Sequence, residues 1–292
     1  MPRPVASTPH LVWAAGHFLV FLSGLRFLLG VITFNTPNLK HWYTLAYLGA
    51  IVSYGVVVYK SFGVPQMNKA YLQRAAFDEN VQYLLLAVYW WFNKPIFVTL
   101  IPYVTFSLFH VLTFVRTTVI PMVFPHSSTT SSRSSSAEGS SSSTSASGTA
   151  SSAGANSPPP AKTAKFIQTW VKANYDPAMR FVAYSEVAIF ARVLFGAILF
   201  KNSLLAPLFY AHFLRLRFYM SSFTRGAFQH VGSVLDGYTQ HPSCPPAVRR
   251  GYLMLTDLIS RYASTVLSVQ NQGAAAGGAN GAAAPQAGQR RQ

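Results

Sequence analysis

The chain has 292 residues, half of them apolar and only 10% charged, with a net charge of +16. So little charge among so many apolar side chains excludes an ordinary soluble domain and indicates a membrane protein. A single cysteine, Cys244, excludes an intrachain disulfide and leaves no cysteine pair for a structural zinc site.

The first apolar segment, Leu11–Phe34, follows a start, MPRPVASTPH, with no small-residue cleavage site of the usual kind after it, and reads as a retained signal-anchor. Arg26 lies inside it, about 12 Å from its far end as a helix, within reach of the distal headgroups by snorkelling or of a helix partner. Gly16, Gly24 and Gly30 offer places for close helix contact. After a turn at Pro37-Asn38, Trp42–Tyr59 supplies a second apolar segment with aromatic and basic residues at both ends, as interfacial anchors require.

Asp78–Pro121 holds two further apolar runs, Val81–Phe92 and Pro95–Val115, separated by Asn93 and Lys94, the outline of a membrane hairpin. The first run, about 18 Å long as a helix, is too short for a hydrocarbon core of about 30 Å. It calls for local thinning, for polar residues drawn to the headgroups, or for partial insertion as a wedge. Tyr83, Trp90 and Trp91 in this arm, with Pro102 and His110 in the second, are the candidate hairpin residues. Pro102 falls inside an expected helix, and Ser107 and His110 share a face suited to hydrogen-bonding a partner helix.

Of the 31 residues Ser127–Ser157, 16 are serine, and three prolines close the stretch, which reads as a disordered linker over 126–160. Ala161–Tyr175 then gives a short basic amphipathic helix, with Trp170 on its apolar side and Lys172 on its charged side. Phe181–Phe200 and Leu204–Met220 form a possible second type of hairpin, either spanning or lying shallowly. The charges Glu186, Arg192, Arg215 and Arg217 within it favour shallow, because a mid-bilayer charge costs about 2.5–3.5 kcal/mol. The basic region thus covers 161–244, and an amphipathic helix follows over 245–270. In that last helix Tyr252, Leu255 and Ile259 lie on the apolar stripe and Arg249, Arg250 and Arg261 lie off it. Three uses of the stripe are open: an interfacial membrane helix, packing on preceding helices, and a coiled-coil seam. Residues 271–292, rich in Gly, Ala and Gln, read as a disordered tail.

The fold class is therefore all-α: a polytopic membrane protein with a four-segment transmembrane region, 1–125, and a cytosolic or interfacial helical C-terminal region. Arg3, Lys60, Lys69, Arg74 and Arg116 fall on one face and only Lys40 and Lys94 on the other, which places both termini in the cytosol. Residues 161–292 carry fourteen Lys/Arg against four acids, interleaved with Leu, Phe and Tyr. That pattern suits a bilayer containing anionic lipids and not nucleic acid. No HxxxH, no carboxylate pair beside a histidine, no P-loop and no GxGxxG occurs, so no enzyme, metal or cofactor site is expected, and a transport pathway lacks paired intramembrane charges.

DENVQYLLLAVYWW (Asp78–Trp91) and IPYVTFSLFHVLTFVRTTVIP (Ile101–Pro121), joined more loosely by YDPAMRFVAYSEVAIFARVLFG (Tyr175–Gly196), resemble the signature of the transmembrane protein 33 family. That family includes fungal pore-membrane nucleoporins. The resemblance implies the endoplasmic reticulum membrane and nuclear envelope as location, and reticulon-type proteins and nuclear pore components as partners. It carries no catalytic residue set. The expected function is structural: hairpins and amphipathic helices that shape membrane and support nuclear pore complex assembly or distribution. The alternative is a membrane-anchored adaptor whose basic tail recruits a soluble partner such as a nuclear transport receptor.

Overall fold

A computed structural model describes residues 7–34, 39–124, 159–242 and 244–261; the serine-rich linker and the Gly/Ala tail lie outside them. All regular structure among the described residues is helical: α1 (Thr8–Ile32), α2 (Leu39–Phe62), α3 (Lys69–Ala76), α4 (Glu79–Phe92), α5 (Ile101–Phe114), α6 (Ile120–Val123), α7 (Pro159–Ile198), α8 (Leu205–Met220), α9 (Ser222–Gln240) and a final helix, α10, described over 246–261. The chain is thus an all-α polytopic membrane protein. Four stretches are long and apolar enough to cross a bilayer: α1, α2, Phe97–Val123 and Pro159–Ile198. The 14-residue α4 is not among them, being about 21 Å long.

The chain divides into two compact units, residues 1–224 and 225–292. In the first, α1 and α2 pack antiparallel where glycine meets glycine. A Cβ at Gly49 would sit 2.7 Å from the Gly16 carbonyl oxygen, and one at Gly16 would sit 2.8 Å from that of Gly49. With no side chain in the way the two backbones touch, the small-residue contact that membrane helices use in place of a hydrophobic driving force. Gly24 is filled from the other side by Val104 of α5. Arg26 turns toward α2, its guanidinium 6.0 Å from the Trp42 ring.

The rings that fill the interior are largely tyrosines: Tyr43, Tyr47, Tyr54, Tyr83, Tyr103 and Tyr210 are all buried. Each aromatic body packs like an apolar residue, and the hydroxyls of Tyr43, Tyr47, Tyr83 and Tyr103 bond to other elements. Tyr43 and Tyr47 of α2 both hydrogen-bond Thr99 Oγ1, at 3.2 and 2.8 Å, and Tyr103 Oη donates to the Tyr83 carbonyl at 2.9 Å.

Local chemistry sets the element ends. Asp78 caps α4, its Oδ1 accepting from the Asn80 and Val81 amides at 2.9 and 3.0 Å. The second hairpin arm is not one uniform α-helix with a proline inside it. A 3₁₀ turn over Phe97–Leu100 leads into α5, so Pro102 sits in its first turn, where its missing N–H costs nothing. Further on, Val115–Val119 widens into a π turn just before Pro121, which has no amide to offer the preceding turn. Residues 161–175 and 181–200, expected as separate elements, fall in the single 40-residue α7, which runs through Asp176 and Pro177 and ends at Ile198, two residues short of the expected bound. At about 60 Å it is twice the thickness of a hydrocarbon core.

Paired rings fix the directions. His10 meets Phe114 at 5.2 Å and Trp13 meets His110 at 5.2 Å, so α1 and α5 are antiparallel. Tyr83 meets Phe213 at 5.5 Å and Tyr89 meets Phe209 at 4.9 Å, so α4 and α8 are antiparallel too. Consequently α1, α4 and α7 all terminate at one end of the bundle, and each is followed or closed by an outward phenylalanine: Phe34, Phe92 and Phe200.

In the second unit α10 folds back along α9, with Tyr252 Oη donating to Asp236 Oδ1 at 2.7 Å. Valine at position 49 is expected to push α1 and α2 apart at a cost of about 1–3 kcal/mol, whereas Gly55→Val, with open space around it, costs within about 0.5 kcal/mol. Thermal denaturation of the two variants in detergent, read by size-exclusion fluorescence, checks the difference.

Candidate functional site

The most polar point of the interior lies where α4, α7 and α8 meet. Glu186 of α7 is fully buried, on the same face as the buried Val182, Ile189 and Val193. A carboxylate in such a place demands partners, since an isolated buried charge is prohibitively costly. It has them. The Tyr83 hydroxyl of α4 donates to Glu186 Oε1, Thr224 Oγ1 donates to Oε2 at 3.3 Å, and Arg217 Nε of α8 lies 3.3 Å from Oε1. Arg217 is itself buried, its guanidinium 5.6 Å from the Tyr83 ring, and its Nη1 reaches Glu79 at the start of α4. Glu79 is half exposed, so the cluster runs from the interior outward.

Charges at 186 and 217 gave the sequence its reason for a shallow hairpin. In the structure they neutralise each other, which removes most of the insertion penalty each would carry alone. Their pairing had a signal: Glu186 lies 16 residues before Asn202 and Arg217 lies 15 after it, and positions equidistant from a hairpin turn face each other. Every oxygen of Glu186 is engaged by protein donors. The arrangement joins three helices and leaves no open position for a reacting group, and no metal-binding group of three His, Cys, Asp or Glu occurs among the described residues.

A second polar group joins α1 to α5. His17 Nδ1 and Ser107 Oγ are 3.0 Å apart, and the His17 and His110 rings are 4.4 Å apart beside Trp13 and Tyr54. Ser107 therefore finds the partner helix expected of it, and the histidines pack as aromatic plates without a carboxylate to relay a proton.

The remaining predicted residues divide between interior and surface. Tyr83 and Trp90 are buried, Trp90 against Tyr210, whereas Trp91 faces outward. Pro102 is buried and His110 partly so. Trp170 packs on Phe109 at 5.8 Å, and Lys172 is exposed on the far side of α7. In α10, Arg249 and Arg250 are exposed, Arg261 pairs with Asp257 at 2.8 Å, and Leu255 and Ile259 remain exposed with Leu253, Met254 and Leu258. Residues 262–270 of the expected helix lie outside the described ones, and among the described residues of the predicted stripe Tyr252 alone has a defined partner. Its hydrogen bond to the Asp236 carboxylate pushes the phenol above its ordinary range, because ionisation would break that bond and set two negative charges together. The α9–α10 contact is therefore fully present below the ordinary phenol range and is lost as pH rises through the raised value.

Arg217→Met strands Glu186 as an unpaired buried carboxylate and is expected to cost about 3–5 kcal/mol, while Glu186→Gln combined with Arg217→Met recovers most of that loss. Melting temperatures of the single and double variants in one detergent provide the check.

Residues 3–265 match the family described as Transmembrane protein 33/Nucleoporin POM33. The chain is 32% identical over 290 residues to Nucleoporin POM33 of Chaetomium thermophilum, covering 93% of this chain and 92% of that one. It is 32% identical over 262 residues to Pore membrane protein of 33 kDa of Saccharomyces cerevisiae, covering 85% and 81%. It is 28% identical over 276 residues to Tetra-spanning protein 1 of Schizosaccharomyces pombe, covering 92% and 90%. No solved structure matches. These relatives carry the names of membrane proteins and nucleoporins and not of enzymes. With the helical membrane bundle and a match over nearly its whole length, the chain belongs to the Transmembrane protein 33/Nucleoporin POM33 family.

Proposed function

We propose that the chain is a structural protein of the endoplasmic reticulum and nuclear envelope that shapes the bilayer and thereby supports nuclear pore assembly or distribution. The observation that carries this reading is a mismatch of length within one bundle. The 25- and 24-residue α1 and α2 are about 37 and 36 Å long, whereas α4 and α8, 14 and 16 residues, are about 21 and 24 Å. A bilayer of about 30 Å meets long helices on one side of the bundle and short ones on the other, and it thins beside the short pair. The three-helix charge cluster stands at the ends of α4 and α8 from which the thinned leaflet is drawn down.

The second unit adds a surface. Valine, leucine, isoleucine and methionine side chains stand exposed on α10 beside Arg249 and Arg250, a combination that inserts into one anionic leaflet and widens it. The positive-inside pattern puts that leaflet on the cytosolic side. The location rests on the relatives named pore membrane protein and nucleoporin. The same exposed basic and apolar residues also suit the adaptor reading, with a soluble partner in place of lipid.

In cells lacking the chain, nuclear pores are expected to cluster or tubules to rearrange. The full chain restores both, and a chain ending before Pro245 does not. Unchanged pores and membranes on loss would count against the shaping role; full rescue by the truncated chain would remove α10 from it.

A further inference from the structure

Lys94 and Lys201 take no part in the ion pairs described above. They come from two different turns, the one after α4 and the one between α7 and α8, yet both line one cleft of about 280 Å³ at the end of the bundle where α1, α4 and α7 terminate. We propose that this cleft binds the phosphate headgroup of an anionic glycerophospholipid, with the two ammonium groups as its charge partners.

The cleft is built and not incidental. Its floor is the buried Trp90, with Tyr89 beside it. Asn93 Nδ2 donates to the Tyr89 carbonyl at 2.6 Å, which fixes the first turn, and Asn202 Nδ2 donates to the Val193 carbonyl at 3.2 Å, which fixes the second. Gly196 permits that second contact, because a Cβ there would lie 2.1 Å from Asn202 Nδ2. The end of α7 is closed by amides of Phe200 and Lys201 donating to Ala197 and Gly196 carbonyls at 3.0 and 2.7 Å, with Phe200 at φ +55° where glycine is usual. A phenylalanine in that conformation turns its ring outward and leaves Lys201 at the cleft.

Charge decides the class of ligand. None of the side chains lining the cleft is acidic, and neither lysine pairs with a carboxylate among the described residues. Two lysines lining one cleft with no acidic side chain beside them suit a phosphate. The rim decides the source. Phe200, 86% exposed, lines the cleft, and Phe92, Leu204 and Leu205, next to lining residues along the chain, are exposed too, so the two exposed lysines stand among apolar side chains. A free phosphate gains nothing from such a rim, whereas a lipid lays its chains along it. At about 280 Å³ the cavity lies just below the range of about 300–1,000 Å³ for small-molecule pockets, room for a headgroup and not a whole lipid.

The test is native mass spectrometry of the full chain released from mild detergent, after titration with phosphatidic acid, phosphatidylcholine or inorganic phosphate. The chain is expected to retain phosphatidic acid over phosphatidylcholine by on the order of tenfold, and inorganic phosphate at matched concentration does not displace it. Lys94→Gln with Lys201→Gln abolishes the preference without lowering the melting temperature. Lys94→Arg with Lys201→Arg keeps it, as does Lys40→Gln, an exposed lysine at the same end outside the cleft. Equal retention of the two lipids, an undiminished preference in the double glutamine variant, or displacement by phosphate alone would each overturn the assignment.

Discussion

Glu186 constrains everything around it. A carboxylate with no exposed surface, in a bundle made for hydrocarbon, is tolerable only if it is saturated by donors, and those donors come from α4, from α8 and from Thr224 at the start of α9. The ion pair with Arg217 therefore specifies which helices are neighbours and at what depth. Because Arg217 also reaches Glu79, the first residue of α4, the start of that helix is tied to the end of α8. Two short helices are thereby held side by side, in register, with a polar group where longer helices would have continued as apolar wall. Such a pair is weak evidence for stability in itself, since an apolar triad of the same shape packs as well; its effect is to fix an arrangement.

From that arrangement the mechanical consequence follows. The α1–α2 side, closed by the Gly16–Gly49 contact, presents an apolar length suited to a full bilayer. The α4–α8 side presents a length about 12–16 Å shorter. Mismatch costs fractions of a kcal/mol per Å, and lipid adjusts more readily than a bundle locked by buried hydroxyls and an ion pair. On the proposed reading, a rigid, lopsided inclusion of this kind bends or thins the membrane around it without any moving part. Membership of a family that includes proteins named for the pore membrane gives this property a setting in which bilayer shape matters.

Much of this was legible in the sequence. The two N-terminal segments, the shortness of Val81–Phe92, the role of Ser107 as a bond to another helix and the close approach at Gly16 and Gly24 all follow from composition and spacing. What escaped depended on long-range pairing. The continuity of α7 through Asp176-Pro177 was hidden because proline reads as a break, although an exposed proline on the outer face of a long helix loses only one hydrogen bond. Each charge in the 181–220 stretch reads from sequence as a separate penalty, and a penalty borne singly differs from one shared, as that of Glu186 is with Arg217, Tyr83 and Thr224. Gly49, partner to Gly16, carries no signal in the sequence, because a lone glycine has no period. Lys94 and Lys201, 107 residues apart, share a cleft only through the antiparallel packing of α4 on α8.

The most direct measurement is the thermal stability of the full chain reconstituted into bilayers of graded acyl length. A rigid bundle with a short side is most stable in a membrane thinner than about 30 Å, and its optimum moves to thicker bilayers when α4 and α8 are each lengthened by one apolar turn, about 5 Å. An optimum at or above about 30 Å that stays in place after the lengthening would contradict the account.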